Sequence, residues 1–112
     1  MRLGLETEEL GTGVYVVTPA GELDLYTCPE LKEELLRVVA AGAQHLVVDL
    51  SMTTFVDSTA LGVLVRAVEL LQDSGGRLSV VCPDKTILRV FEVTGLDRVF
   101  DMHASRAEAL GP

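Results

Sequence analysis

Hydrophobic and polar residues alternate in two segments near the beginning of the chain, residues 3–7 and 14–17. This period of two is typical of β-strands with one buried face. Gly11 and Gly13 lie between the two segments, as in the connection of a hairpin. The pattern therefore predicts an opening β-hairpin, followed at residues 21–24 by a turn or a brief strand.

Three later segments are short and rich in apolar residues: 45–50, 78–82 and 99–102. The first two are almost continuously apolar and contain several valines, as in strands that are buried on both faces of a sheet. The third predicts a short last strand.

A first helix is predicted after Thr27. Thr27 and Glu30 have the spacing of a capping box, in which each side chain satisfies a free backbone amide at the helix start. Gly42 stands where a helix end is expected. The apolar residues at helical spacing in this segment are Leu31, Leu35 and Val38.

Three further helices follow from the same kind of pattern. The second ends at residues 74–76, the third lies between Asp84 and Gly95, and the fourth begins at a second capping-box pattern, Ser105 to Glu108. The apolar stripe of the second helix consists of Leu61, Leu64, Val65, Val68 and Leu71.

Strands and helices thus alternate with short connections. This order predicts an α/β fold, with a mixed, mostly parallel β-sheet flanked by about four α-helices. The length of 112 residues suits one domain, and we expect residues 1–112 to form it.

Charge narrows the choice of partners. Seventeen acidic residues against nine basic ones give a formal net charge of −8. Nucleic acids and anionic membranes attract basic patches, so neither is expected as a partner. The first residues are acidic where a signal peptide would be apolar, and no apolar run approaches the ~18 residues of a membrane span. We therefore expect a cytoplasmic protein. We also expect a monomer or weak dimer.

The residues that usually carry catalysis or bind metals are few. Cys28 and Cys82 have no partner at metal-ligand spacing, so no metal site and no cofactor are expected. Cys82 is predicted to lie in the core, whereas Cys28, in the first turn of a helix, is a candidate for a lowered thiol pKa. His45 and His103 are interpreted as structural or solvated residues. The chain contains no P-loop, dinucleotide or nucleophile-elbow motif, and we expect no enzymatic activity.

One polar segment lies at the start of the second helix: Asp57, Ser58 and Thr59. All three residue types favour the N-cap position, and an aspartate also suits the positive end of the helix dipole. A second interpretation is a phosphorylation switch. A helix N-terminus accommodates a phosphate, whose charge and bulk would repel a partner fitted to the hydroxyl.

Residues 56–62, Val-Asp-Ser-Thr-Ala-Leu-Gly, resemble the phosphorylation-site motif of the STAS domain, as found in anti-sigma factor antagonists. Residues 21–24, Gly-Glu-Leu-Asp, and 94–96, Thr-Gly-Leu, resemble two further motifs of that family in the same order. Ala60 departs from the family, because many antagonists have Gly there. Alanine is the better helix former and leaves less room for the backbone of a partner.

The resemblance implies a mechanism of partner switching. The unmodified antagonist binds an anti-sigma factor that is itself a serine kinase, and thereby releases a sigma factor. Phosphorylation of Ser58, with Thr59 as the fallback acceptor, ends binding, and a PP2C-type phosphatase restores it. The implied partner-binding residues are Glu22, Asp24, Asp57, Ser58, Thr59, Gly62 and Val63.

The sequence also fits other interpretations. The domain is alternatively a STAS scaffold subunit of a stress-signalling or lipid-transport complex that phosphorylation does not control. Glu22 and Asp24 are equally typical of ordinary turn chemistry. An enzyme with Ser58 as nucleophile is disfavoured, because the sequence offers no base to activate that hydroxyl.

Overall fold

The computed structural model describes residues 3–111. Its elements are β1 Gly4–Glu9, β2 Val14–Leu23, α1 Cys28–Ala40, β3 His45–Asp49, β4 Thr53–Val56, α2 Ser58–Asp73, β5 Arg77–Val81, α3 Lys85–Thr94, a 3₁₀ turn Leu96–Arg98, β6 Asp101–His103 and α4 Arg106–Leu110.

The strands form a mixed sheet in the order β1-β2-β3-β5-β6, and β4 pairs with the far end of β2. Only the pairing of β1 with β2 is antiparallel, and Gly11 and Gly13 in their connection have φ values of 117° and 77°. The other four pairings are parallel. The predicted hairpin and the mixed, mostly parallel sheet with four α-helices are therefore confirmed.

The helices cover the two faces of the sheet unequally. α1, α2 and α3 pack on one face, where they bury Leu46 and Val48 of β3 in the main core. On the opposite face, Ala109 of α4 packs against Val16, Val47 and Val81. Since successive side chains of a strand point to opposite faces, the continuous apolar run of β3 supplies both cores. Within residues 3–111, no helix is both long enough and apolar enough to cross a membrane.

Three details of the elements differ from the prediction. Residues 21–23, predicted to be a turn or a brief strand, are extended, but they are the last residues of β2 and not a separate element. β4 was not predicted, because four residues with only their ends buried show no clear period. The last strand is Asp101–His103 instead of residues 99–102, because a 3₁₀ turn precedes it.

The predicted capping box at Thr27 is wrong. The Thr27 hydroxyl donates to the Glu22 carbonyl at 2.7 Å and accepts from the Asp24 amide at 3.0 Å, so it closes the turn before α1 and caps no helical amide. The second capping box is half formed. Ser105 Oγ accepts from the Glu108 amide at 3.2 Å, whereas the Glu108 carboxylate accepts from Ala104.

The α4 face of the sheet also holds a buried polar chain. The Ser79 hydroxyl donates to Asp101 at 3.1 Å and lies 2.8 Å from His45 Nε2, which therefore acts as the donor. Arg77 lies 3.5 Å from His45 Nδ1. Burial and the positive charge of Arg77 lower the pKa of His45, which supports a neutral imidazole in the folded protein.

We expect this histidine to make folding sensitive to mild acid. Because its pKa is lower in the folded state, the unfolded chain binds more protons once the pH falls below about 6.5. The free energy of unfolding should therefore decrease from pH 7.5 towards pH 5.5. His45→Gln keeps a donor for Ser79 but cannot titrate, so its stability should decrease less over the same range. Urea unfolding at several pH values measures the free energy of unfolding of both proteins. An equal decrease with falling pH in the two would contradict the role assigned to His45.

Candidate functional site

The candidate site lies where the carboxyl ends of β2 and β4 meet. Glu22 and Leu23 of β2 are in register with Phe55 and Val56 of β4. The Asp57 amide donates to the Leu23 carbonyl at 3.1 Å, which ties the start of α2 to the end of β2. The two motifs that the sequence places at 21–24 and 56–62 are thus neighbours in the fold.

Asp57 caps α2 as predicted. Its backbone is extended, with φ −110° and ψ −177°, and its side chain accepts from the Ala60 amide at 3.1 Å. Ser58 follows as the first residue of the helix and is exposed, whereas Thr59 is half-buried. Of the two hydroxyls, that of Ser58 is therefore the more accessible to another protein.

Ala60 does not narrow the space for a partner, contrary to the expectation from the sequence. The residue is fully buried and belongs to the main core. Its methyl group therefore adds apolar contact inside the domain. Compared with the glycine of many antagonists, Ala60 therefore makes the helix more stable and leaves the exposed surface unchanged.

Asp24 is held in the turn between β2 and α1. Its Oδ1 accepts from the amides of Tyr26 at 2.9 Å and Thr27 at 3.0 Å, and these bonds, that from Thr27 above all, lower the pKa of Asp24. The hydrogen bonds of Asp24 are therefore those of an ordinary turn residue, as the alternative interpretation predicted. Glu22 is exposed in β2 and is available for contacts.

Cys28 lies close to both aspartates. Burial, and then the negative charges of Asp57 and Asp24, raise the pKa of the Cys28 thiol to about 11. The suggestion of a lowered pKa at this cysteine is wrong, because burial and the neighbouring carboxylates both disfavour the thiolate. The charges of Asp24 and Asp57 therefore both act on this one thiol.

Gly62 and Val63 line a groove between α1 and α2, together with Thr59. Its volume is about 220 Å³. The α1 residues of this groove were not predicted to be functional, although they recur at helical spacing. They are Lys32, Leu35, Leu36 and Val39.

Large apolar side chains are also exposed near the site. Leu25 and Tyr26, in the turn that Asp24 closes, are 64% and 84% exposed, and Phe55 of β4 is 47% exposed. The spacing of hydrophobic residues in the sequence could not identify these three as exposed, because each lies in a turn or a very short strand. Exposed aromatic and apolar side chains are common in protein interfaces.

Neither histidine is placed to activate Ser58. His45 is bonded to Ser79 on the α4 face of the sheet, and His103 Nε2 lies 3.0 Å from Asp101. What the site does offer is an accessible hydroxyl at the first position of a 16-residue helix, next to the capping carboxylate of Asp57. A modified serine would keep its place there, since the helix dipole favours added negative charge.

The mixed sheet, with three helices on one face and one on the other, and the serine at the start of α2 define a class of small α/β domains. The family model of the STAS domain matches residues 7–109. The chain therefore belongs to the STAS domain family.

Several relatives share one designation. The anti-sigma-B factor antagonist of Bacillus subtilis is 35% identical over 88 residues, covering 79% of this chain and 80% of that protein. The anti-sigma-B factor antagonist of Staphylococcus aureus is 36% identical over 96 residues, covering 86% of this chain and 88% of that protein. The crystal structure of an anti-sigma factor antagonist from Mycobacterium paratuberculosis superposes with a TM-score of 0.82 at 32% identity, covering 96% and 91% of the two chains.

Proposed function

We propose that this protein is an anti-sigma factor antagonist, a cytoplasmic regulator without enzymatic activity. Its unphosphorylated form binds an anti-sigma factor that is a serine kinase, and the sigma factor is released. The names of the relatives support the general role. The observation that carries the proposal is the exposed Ser58 at the start of α2, held by the Asp57 cap beside the end of β2.

The proposed contact surface surrounds this serine. Asp24, Asp57 and the exposed Glu22 form an acidic border that suits basic groups of the kinase. Thr59, Gly62 and Val63 continue the surface along α2. The acidic border and the helix are presented together because β2 and β4 end side by side.

Phosphorylation would end this contact. The kinase transfers the γ-phosphoryl group of ATP to Ser58 Oγ: the new P–O bond forms as the bond to the β-phosphate breaks, ADP leaves and the hydroxyl proton is released. Thr59 is the fallback acceptor. The formal charge of −8 then becomes about −10. The phosphate is compatible with the helix start but adds charge and bulk where the partner docks. A PP2C-type phosphatase is the proposed enzyme that hydrolyses the phosphoserine.

A binding titration tests the proposal. The purified chain should bind the ATP-binding anti-sigma factor of the same organism, and Ser58→Asp should weaken the complex at least about tenfold, or 1.4 kcal/mol. The reason is that a carboxylate replaces a hydroxyl at the centre of the contact. Isothermal titration calorimetry measures the change.

Thr86→Asp is a matched control, because Thr86 is an exposed residue in the first turn of α3, which Asp84 caps as Asp57 caps α2. It adds the same charge at another helix start and should leave the affinity unchanged. Equal affinities of Ser58→Asp and the unsubstituted chain would exclude the switch, and failure of the unsubstituted chain to bind would exclude the antagonist role.

A further inference from the structure

Two helical stripes of equal spacing face each other across the groove between α1 and α2. In each stripe the residues follow one another at offsets 0, 3, 4 and 7, so they share one face of their helix. The stripes are Lys32, Leu35, Leu36 and Val39 on α1, and Thr59, Gly62, Val63 and Arg66 on α2. Apart from the two basic residues and Thr59, the lining is apolar or glycine.

Folding does not require this groove to be open. A Cβ atom built on Gly62 would meet nothing within 4 Å, so an alanine would fit there without a clash. Glycine is also unfavourable in a helix interior compared with alanine. The absent side chain at Gly62 therefore keeps the groove accessible at some cost to the helix, and Leu36 stays 39% exposed beside it.

The charge of the groove is opposite to that of the chain. The protein has 17 acidic and nine basic residues, yet the charged residues that line the groove are Lys32 and Arg66. α1 and α2 each connect parallel strands and run in the same direction. Lys32 therefore lies towards the Ser58 end and Arg66 towards the other end. The pair of Arg66 with Glu69 is exposed and 3.6 Å long, so it binds this arginine only weakly.

Size and position indicate what occupies the groove. Its volume of about 220 Å³ is below the roughly 300–1,000 Å³ of sites that enclose small molecules. One or two apolar side chains of a protein suit it better. Gly62 is four residues after Ser58, hence one helical turn away on the same face, so the groove continues the surface around the serine.

We propose that this groove receives an apolar anchor of the anti-sigma factor. The anchor is one or two apolar side chains on a segment whose flanking carboxylates pair with Lys32 and Arg66. The contact thus has two parts of opposite charge: basic partner groups around Ser58, and an acidic, apolar segment along α1 and α2. This inference rests on the proposed function and adds the α1 side of the interface to it.

Two variants of the full chain test the anchor by titration with the same purified anti-sigma factor. Gly62→Leu fills the groove, and Lys32→Glu/Arg66→Glu reverses its charge. Each should weaken the unphosphorylated complex at least about tenfold. Lys85→Glu/Arg89→Glu makes the same change of charge at exposed positions of α3 and should bind as the unsubstituted chain does. Circular dichroism melting curves verify that all variants are folded.

The outcomes separate this inference from the proposed function. If Ser58→Asp weakens binding but Gly62→Leu or the charge reversal does not, the anchor is overturned and the antagonist role stands. If the unsubstituted chain does not bind, both fall. If Gly62→Leu instead changes only the sedimentation mass of the free protein, the groove joins two copies of this chain and the proposal is wrong.

Discussion

Replacing Ser58 with alanine is expected to reduce the incorporation of phosphate by the proposed anti-sigma factor kinase to background. Ser58 is exposed at the first position of α2, and the Asp57 cap holds the helix start in place. Thr59, the adjacent hydroxyl, is half-buried in the wall of the groove, so it is a poor substitute. Labelling with radioactive ATP, followed by intact-mass spectrometry, measures the number of phosphates per chain.

Thr59→Ala is the matched control, because it removes the neighbouring hydroxyl and leaves Ser58. We expect it to accept a single phosphate, as the unsubstituted chain does. Full labelling of Ser58→Ala together with loss of labelling in Thr59→Ala would assign the modification to Thr59. Melting curves with and without phosphate should nearly coincide, since a helix N-terminus tolerates the added charge.

Replacing Arg106 with methionine is expected to destabilise the fold by about 2–3 kcal/mol. Arg106 Nε donates to Asp49 at 2.6 Å, and its other nitrogens reach Thr18 at 2.8 Å and Glu8 at 3.1 Å. The side chain of Asp49 is only 4% exposed, so without Arg106 a charge would remain buried without its ion-pair partner. The usual cost of breaking a buried pair, about 3–5 kcal/mol, is reduced here because Arg106 is 37% exposed. Urea unfolding followed by circular dichroism measures the loss.

Two comparisons make the Arg106 result specific. Arg37→Met breaks the exposed pair with Glu34 and should cost less than about 1 kcal/mol. Asp49→Asn/Arg106→Met removes both charges and should recover part of the stability that Arg106→Met loses. If the single variants at 37 and 106 cost the same, the Asp49 pair does not hold α4 against the sheet.

The Arg106 effect should also depend on pH. Burial opposes the charge of Asp49, but its bonds to Arg106 and to the Ser51 amide together lower its pKa below the usual range. A lowered carboxyl pKa contributes stability above the unfolded value of about 4, and this contribution is lost as the pH falls through the folded value. The difference between the unsubstituted chain and Arg106→Met should therefore become smaller in acid.

Local patterns predicted most of the helices and strands of this protein. The cap at Asp57 could be predicted because a helix start selects its residue types through bonds within four residues. The buried strands β3 and β5 could be predicted from their apolar runs. At Thr27 the same kind of reasoning failed, since the hydroxyl had a stronger alternative in the turn formed by Glu22 and Asp24.

Only the tertiary structure decided which of these elements meet. The pairing of β2 with β4 brings the end of β2, with Glu22 and the following Asp24, beside the start of α2. Because α1 and α2 lie side by side, Lys32 and Arg66 line the same groove. The bond between Arg106 and Asp49 joins residues 57 positions apart. A sequence pattern records which face of an element is apolar, but it does not record the neighbour that covers that face. The groove lined by Lys32 and Arg66 therefore became visible only in the folded chain.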